Sequence, residues 1–211
     1  MAEPLSADVA VGSGSGGAVV ARRLFDATPP TGDTMTQLSF GQPLGAIVQY
    51  AYHVENIERS VADFVDRLGV GPWFVRGPFQ PPAGRYRGEP TSPVISLARA
   101  FAGHAMVELV VQHDDTPSVY NEREGFGFHH WAVFSKDLDA DLERYAGLGY
   151  ERAYEDLLPS GSRIVYVDST RDLPGMIEVI EHTDSQEQVY DRIYRASIGW
   201  DGTDQIRRTD R

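Results

Sequence analysis

Two stretches of this sequence decide the fold: AIVQYAYHVENIERSVADFVDRLGVG at 46–71 and FGFHHWAVFSKDLDADLERYAGLGYE at 126–151. In each stretch apolar residues first alternate with polar ones and then recur at every third or fourth position. This pattern predicts a strand followed by an amphipathic helix. The two stretches align when Gln49 is set against His130. We therefore predict an internal repeat of one strand and one helix.

The two predicted helices have matching boundaries. Asn56 and Asp137 stand where the helices begin, and both residue types are good N-caps because their side-chain oxygens accept hydrogen bonds from free amide groups of the first turn. Gly69 and Gly149 stand where the helices end. Glycine readily takes the left-handed conformation that closes a helix, so each helix is predicted to stop at its glycine.

Strand-like segments follow each helix. They are PWFVRGPF at 72–79, SPVISLARAF at 92–101 and AMVELVVQ at 105–112 in the first copy, and YERAYEDLL at 150–158, SRIVYVDS at 162–169 and GMIEVIEH at 175–182 in the second. We predict an α+β domain at 45–182, built from two tandem βαβββ modules at 45–115 and 125–182. Each module closes with a single Glu between apolar neighbours, Glu108 or Glu178. Because a lone buried carboxylate is costly, we expect both to face a cation or a wet cavity, with exposure to solvent as the alternative.

The paired modules resemble the vicinal oxygen chelate superfamily, which includes lactoylglutathione lyases, methylmalonyl-CoA epimerases, extradiol dioxygenases and metal-free antibiotic-binding proteins. The resemblance implies the glyoxalase fold, an open barrel-like mixed sheet with metal ligands on the first and last strand of each module. Carried over to this sequence, the ligands are Gln49, Glu108, His130 and Glu178. The set is similar to that of some zinc-type lactoylglutathione lyases.

One imidazole, one amide and two carboxylates suit a divalent ion such as zinc, nickel, manganese, cobalt, magnesium or iron. Such an ion would polarise a carbonyl group of a small-molecule substrate while a carboxylate moves the neighbouring proton. The resemblance implies Glu178 as this base, with Glu108 as the second candidate. The prediction is a metal-dependent lyase, isomerase or epimerase. The main alternative is a metal-free protein that sequesters a hydrophobic molecule in the same cleft.

Two histidines near the ligand positions bear on these alternatives. Dioxygenase chemistry at non-heme iron generally needs two His and one carboxylate, and Gln49 stands at the first position, so dioxygenase activity is disfavoured. His53 lies on the same face of the predicted strand as Gln49. It is a candidate substrate contact, proton relay or replacement ligand, and packing at the cavity rim is the alternative. His129 is expected to point to the opposite face and to be structural.

Further candidate substrate contacts are Tyr52, Trp73 and Arg76. The aromatic side chains are equally suited to the core, and where they line a cavity they favour a hydrophobic or aromatic carbonyl ligand. The basic residues Arg76, Arg85, Arg87 and Arg99 are candidates for gripping substrate carboxylates.

Composition narrows the classes of molecule that the protein is expected to bind. A formal net charge of -12 and a pI near 4.8 disfavour nucleic acid and anionic membranes, which are approached through clustered Lys and Arg. The absence of Cys excludes disulfides and thiolate metal sites. Since no apolar run is long enough for a membrane span and no signal peptide is evident, we predict a cytoplasmic protein. A homodimer is compatible with this architecture and would cover barrel edges.

The two ends of the chain extend beyond the modules. Gly12, Gly14 and Gly17 have the G-x-G-x-x-G spacing of a dinucleotide-binding fingerprint, but a Pro-rich segment follows where the second strand should form. We predict residues 1–40 to be a disordered extension. Residues 183–211 are predicted to form a helix from about Ser185 and a fraying tail, the helix packing on the domain or on a second subunit as a lid or dimer contact.

Overall fold

The computed structural model of the protein describes residues 36–122 and 125–209. The glycine fingerprint and all of the predicted extension up to residue 35 lie outside these residues. Within them, no helix combines the length and the apolar character that crossing a membrane requires.

The described residues form one mixed sheet and three helices. The strands are β1 (Ile47–His53), β2 (Trp73–Phe79), β3 (Arg85–Tyr86), β4 (Glu89–Pro90), β5 (Ile95–Ala102), β6 (Ala105–Gln112), β7 (Gly127–Ser135), β8 (Glu151–Leu157), β9 (Arg163–Asp168), β10 (Met176–Glu181) and β11 (Ile206–Arg208), and the helices are α1 (Ile57–Leu68), α2 (Leu138–Gly147) and α3 (Asp184–Ser197). The strand order is β11-β2-β5-β6-β1-β7-β10-β9-β8-β3-β4.

The internal repeat is visible in this order. The first module runs β1, α1, β2, β5, β6, and its first strand pairs in parallel with its last. The second runs β7, α2, β8, β9, β10, and β7 likewise pairs in parallel with β10. The two modules meet through the antiparallel pair β1 and β7 at the centre. The predicted α+β class with two βαβββ modules in an open mixed sheet is confirmed.

A short connection forces the sheet to curl. The residues 80–84 join β2 to β3 and, fully extended, reach at most about 20 Å. Nevertheless β3 pairs with β8. In strand order β8 follows β2 only after β5, β6, β1, β7, β10 and β9, a distance of about 34 Å in a flat sheet. The sheet therefore bends toward a barrel and has a concave inner face.

Strand alternation assigns side chains to the two faces. α1 packs on the outer face, where Ile57 and Val61 contact Val107 and Leu109. α2 covers the outer face of the second module in the same way, through a separate cluster. The inner face carries the largest core cluster, in which α3 takes part through Tyr190 and Ile193. α1 and α2 thus cover the outer face, and the inner faces of the two modules share one core that α3 covers.

The predicted helix boundaries are confirmed. The Asn56 side chain accepts a hydrogen bond from the Arg59 amide at 2.8 Å, and the Asp137 side chain accepts one from the Ala140 amide at 3.1 Å. Gly69 closes α1 in the left-handed conformation with φ 65°.

The folded region begins earlier than the predicted start at residue 45. Leu38 and Phe40 are both buried in the inner core. The Phe40 ring lies 5.4 Å from the Phe101 ring and 5.6 Å from the Tyr190 ring. Two large apolar side chains just ahead of β1 thus help to join the sheet to α3.

The C-terminal segment folds back on its own domain. α3 starts one residue before the predicted Ser185, capped by Thr183, whose hydroxyl accepts from the Gln186 amide at 3.2 Å. The expectation that the polar end frays is wrong for Ile206–Arg208, because these residues form β11 and pair in parallel with β2. The sequence gives little sign of this strand, since its stability comes from an edge of the sheet that distant residues build.

Candidate active site

The four predicted ligand positions converge on the inner face. Gln49, Glu108, His130 and Glu178 come from four neighbouring strands, β1, β6, β7 and β10, and all four are buried. The His130 Nε2 atom lies 3.4 Å from Gln49 Nε2, 3.4 Å from Glu178 Oε2 and 3.8 Å from Glu108 Oε1. The structure thus brings together residues that the repeat placed at matching points of the two modules.

Strand alternation explains why these polar groups face inward. Glu108 shares its face of β6 with Met106 and Val110, which belong to the inner core. Val107 and Leu109 point the other way and pack under α1. The opposite orientation would place Glu108 under α1 among the apolar residues of the outer cluster, whereas the observed one lets the carboxylate line the cavity.

A partly buried cation completes the cluster. Arg99 lies directly opposite Glu108 in the β5–β6 hairpin, and its Nε atom is 2.5 Å from Glu108 Oε2. The sequence alone indicates Arg99 only as a candidate for binding a substrate carboxylate. A signal for the pairing existed, because the tight turn at Gly103 and His104 sets the hairpin register in which Arg99 meets Glu108.

Tyr190 is a second residue that sequence reasoning did not assign to the site. It is fully buried, and α3 brings its hydroxyl to Gln49, where it donates a hydrogen bond of 2.8 Å to Oε1. The apolar stripe on α3 indicated that Tyr190 packs against the domain. Which polar group its hydroxyl meets depends on how the helix is placed across the inner face.

His129 fixes the tautomer of His130. The His129 Nε2 atom lies 2.9 Å from the Val119 carbonyl oxygen, which can only accept, so Nε2 carries the hydrogen. Its Nδ1 atom then accepts from His130 Nδ1, at 2.9 Å. The His130 Nε2 lone pair is therefore turned toward the cluster. His129 is buried, but the prediction that it points to the opposite face is wrong: it is the extra residue of β7, and its ring lies against Tyr120 and Tyr166 of the inner core, where it orients His130 directly.

The same reasoning orients the Gln49 amide. Its Nε2 atom faces two acceptors, Glu178 Oε2 at 3.3 Å and the His130 Nε2 lone pair at 3.4 Å. Its Oε1 atom faces the Tyr190 hydroxyl. The amide therefore presents hydrogens rather than its oxygen to the centre of the cluster.

Burial shifts the proton affinities of two groups. Desolvation raises the pKa of Glu178 to about 7, although the positive charge of Arg99 and a hydrogen bond from Tyr166 act in the opposite direction. Desolvation also lowers the pKa of His130 to about 4. Near neutral pH, His130 is thus uncharged, while Glu178 exchanges readily between its acid and its carboxylate.

A cavity of about 750 Å³ opens onto the cluster. Glu108, Glu178 and Arg99 line it, and the two carboxylates are buried. The Arg192 side chain, on an exposed residue of α3, lines it nearer the surface. Much of the remaining wall is apolar and comprises Phe74, Phe79, Ile95, Leu97, Ile164, Val189 and Ile193. The cavity can take a mainly hydrophobic molecule with a polar group at its inner end.

Of the four predicted substrate contacts, Arg76 lines this cavity and stacks over the Phe79 ring at 3.9 Å. Trp73 lies in the core under α1, and its indole nitrogen donates to the Val70 carbonyl oxygen. Tyr52 packs against the same outer-face core. His53 stacks near Phe126, at 5.2 Å between ring centroids. The extra residue of the β1–β7 pair lies in β7, at His129, and the β1–β6 register is continuous from Gln49 to His53. His53 therefore keeps the face of Gln49, as predicted, but it does not line the cavity.

The donor types of the cluster suit a divalent metal, but their arrangement does not. Within 36–122 and 125–209, no group of three or more His, Asp and Glu side chains is placed to hold a metal ion. Gln49 turns its amide nitrogen inward, and Arg99 already neutralises Glu108. The predicted zinc, nickel, manganese, cobalt, magnesium or iron ion therefore does not fit the site as its residues stand.

Comparison with protein families agrees with this architecture. A family model described as the Glyoxalase/Bleomycin resistance protein/Dioxygenase superfamily matches residues 48–166. The match spans more than half of the chain, and the chain belongs to this superfamily. The family resemblance inferred from the sequence is confirmed. No match was found among curated proteins.

Several solved structures are similar in fold. A hypothetical protein of Bacillus halodurans C-125 is 14% identical with a TM-score of 0.48, and the alignment covers 66% of this chain and 95% of that one. The methylmalonyl-CoA epimerase of Mycobacterium tuberculosis is 18% identical with a TM-score of 0.47, covering 72% and 95%. A Streptomyces coelicolor methylmalonyl-CoA epimerase in complex with 2-nitronate-propionyl-CoA is 16% identical with a TM-score of 0.41, covering 66% and 99%.

Proposed function

We propose that this protein is an isomerase, epimerase or lyase that moves a proton on the carbon next to a carbonyl group, with Glu178 as the base. The observation that carries the proposal is the position of Glu178, buried at the inner end of the cavity with its pKa raised to about 7. A carboxyl group with this pKa can accept and return a proton near neutral pH, which is the requirement for general acid–base catalysis.

Arg99 supports the same chemistry. When the Glu178 carboxylate takes a proton from carbon, the electron pair of the broken C–H bond moves to the carbonyl oxygen and forms an enolate. Arg99 lines the cavity beside both glutamates and carries a permanent positive charge, which stabilises such an oxyanion in a site of low polarity. Delivery of a solvent-derived proton to the opposite face of the same carbon completes epimerisation, and delivery of the proton to a neighbouring atom completes isomerisation.

The cavity wall favours a substrate with a hydrophobic body and a polar carbonyl end. Arg76 and Arg192 lie farther from the glutamates, near Phe79 and Phe74 respectively. They offer positive charge for an anionic group on the substrate. Thioesters and 2-oxo acids with apolar or aryl substituents are therefore the first compounds to try.

The test is exchange of substrate hydrogen with solvent. Methylmalonyl-CoA, 2-methylacyl thioesters and aryl 2-oxo acids are incubated in D2O with the native chain, Glu178→Gln or Glu181→Gln. Loss of the proton signal next to the carbonyl is followed by NMR. Glu181 lies on the same strand but pairs with Arg163 at 3.0 Å, and it is the matched control. We expect Glu178→Gln to slow exchange at least about 100-fold, while Glu181→Gln leaves it unchanged.

The second candidate is a protein that sequesters a hydrophobic molecule without turning it over. The apolar wall of the cavity favours it. In the same experiment, saturable binding of a compound with no exchange above the solvent background, in the native chain and in Glu178→Gln alike, would select this function and reject the enzyme. The homodimer and the cytoplasmic location remain predictions from the sequence.

A further inference from the structure

The positive charge beside Glu108 disfavours binding of the metal ion that the superfamily resemblance implies. Glu108 is 3% exposed, and the Arg99 side chain is 24% exposed. The two side chains stand at paired positions of one hairpin, so the backbone hydrogen bonds of the sheet hold them together. A guanidinium does not lose its proton in proteins, and its charge is therefore present at every working pH.

The positive charge of Arg99 extends over the whole cluster. It acts on Glu178 and on His130 as well as on Glu108. A metal ion held by Glu108 would lie within a few ångströms of the guanidinium, because Arg99 Nε already contacts Oε2 of the same carboxylate. At that distance two cations in a poorly solvated site repel each other strongly.

Three acceptor atoms of the cluster already face hydrogen-bond donors. His130 Nε2 and Glu178 Oε2 face the Gln49 amide hydrogens, and the Gln49 oxygen accepts from Tyr190. Among the described residues, Asp191 carries the one buried side-chain oxygen that lacks a hydrogen-bond partner, and it lies outside this cluster. Hydrogen bonds and the Arg99 guanidinium thus already satisfy these atoms of the cluster.

We infer that Arg99 is the resident cation of this cluster and occupies the electrostatic role of the divalent metal, so that the native site does not bind one. The inference concerns the charge balance of the site and holds whether the protein is an enzyme or a binding protein. It makes Arg99 the residue that separates this chain from metal-binding arrangements of the same donor types.

The experiment measures metal retention without any substrate. Tag-free native chain, Arg99→Met, Arg99→Gln and Arg99→Lys are dialysed separately against nickel, zinc and manganese salts, then freed of unbound metal and analysed for metal content. Arg99→Lys is the matched control because it keeps the positive charge. Arg99→Gln keeps a hydrogen-bond donor for Glu108, so it guards against loss of folding in Arg99→Met, and circular dichroism checks each variant.

The native chain and Arg99→Lys are expected to retain less than about 0.1 equivalent, whereas the neutral variants retain about one equivalent of at least one metal. Adding His130→Ala to a neutral variant should remove the gained metal, which places it in the cluster. Near-stoichiometric metal in the native chain that is lost with His130→Ala would overturn the inference. So would a folded neutral variant that retains no more metal than the native chain. Because no turnover is measured, either result is independent of the proposed activity.

Discussion

The hydroxyl of Tyr190, on the C-terminal helix, donates a 2.8 Å hydrogen bond to the side-chain oxygen of Gln49, on the first strand. Both residues are buried. The bond links the last helix to the inner face of the repeat, and it decides which end of the Gln49 amide faces His130 and Glu178. A contact between distant parts of the chain thus sets the polarity of the site.

Replacing Tyr190 with Phe removes this donor and leaves the Gln49 oxygen buried without a partner. We expect the free energy of unfolding to fall by about 1 to 3 kcal/mol, the usual cost of an unsatisfied buried polar group. Urea denaturation measures it. Tyr194→Phe is the control on the same helix, since the Tyr194 ring packs on Phe101 at the edge of the core. Equal small losses in both variants would show that the Tyr190 hydroxyl contributes nothing particular.

The raised pKa of Glu178 predicts how stability depends on pH. The unfolded chain ionises this carboxyl near 4.5, whereas the folded chain keeps its proton until about pH 7. Between these values the folded state binds more protons, so the native chain loses stability as the pH rises, by about 3 kcal/mol in total. Glu178→Gln lacks this loss, and its stability relative to the native chain should therefore increase from pH 4.5 to 7.5.

Urea denaturation at a series of pH values measures the difference. Glu181→Gln is the comparison, because Arg163 lowers the pKa of Glu181 and the linkage has the opposite sign. A constant difference between native chain and Glu178→Gln across this range would mean that Glu178 titrates normally in the folded state.

His130 is predicted to be neutral at pH 7 with its hydrogen on Nδ1. Burial lowers its pKa to about 4, and His129 accepts from its Nδ1 atom. Nitrogen-15 NMR of labelled protein distinguishes a protonated from an unprotonated ring nitrogen. In His129→Phe the acceptor is lost, and we expect the Nδ1 and Nε2 signals of His130 to shift toward a mixture of tautomers. A native spectrum with the His130 hydrogen on Nε2 would contradict the hydrogen bond from His130 to His129.

β11 is predicted to protect the backbone amides of its neighbour β2 from hydrogen exchange. The Trp73 amide donates to the Gln205 carbonyl at 2.8 Å, and the Thr209 amide donates to the Val75 carbonyl at 3.0 Å. Ending the chain after Trp200 removes both bonds. Amide hydrogen exchange at Trp73 should become faster by at least about tenfold, since its acceptor is gone. A chain ending after Thr209 is the control, and unchanged protection of Trp73 in the shorter chain would refute the strand.

Much of the site was predictable because its determinants are local. The repeat set Gln49 against His130 and Glu108 against Glu178, and the family resemblance implied these four residues as one set. The same local rules predicted the caps at Asn56 and Asp137. The register of the hairpin also fixes the pairing of Arg99 with Glu108, although predicting this pairing required the positions of both strand ends.

The sequence by itself determined the repeat and the two outer helices, since strand and helix periodicity act over a few positions. Only the tertiary structure decided that Tyr190 meets Gln49, that Ile206 pairs beside Trp73, and that β7 carries an extra residue at His129. These contacts form on surfaces that both modules build together, or at a bulge in a strand pair. Their geometry is therefore set by the assembled sheet and not by the neighbouring residues in the chain.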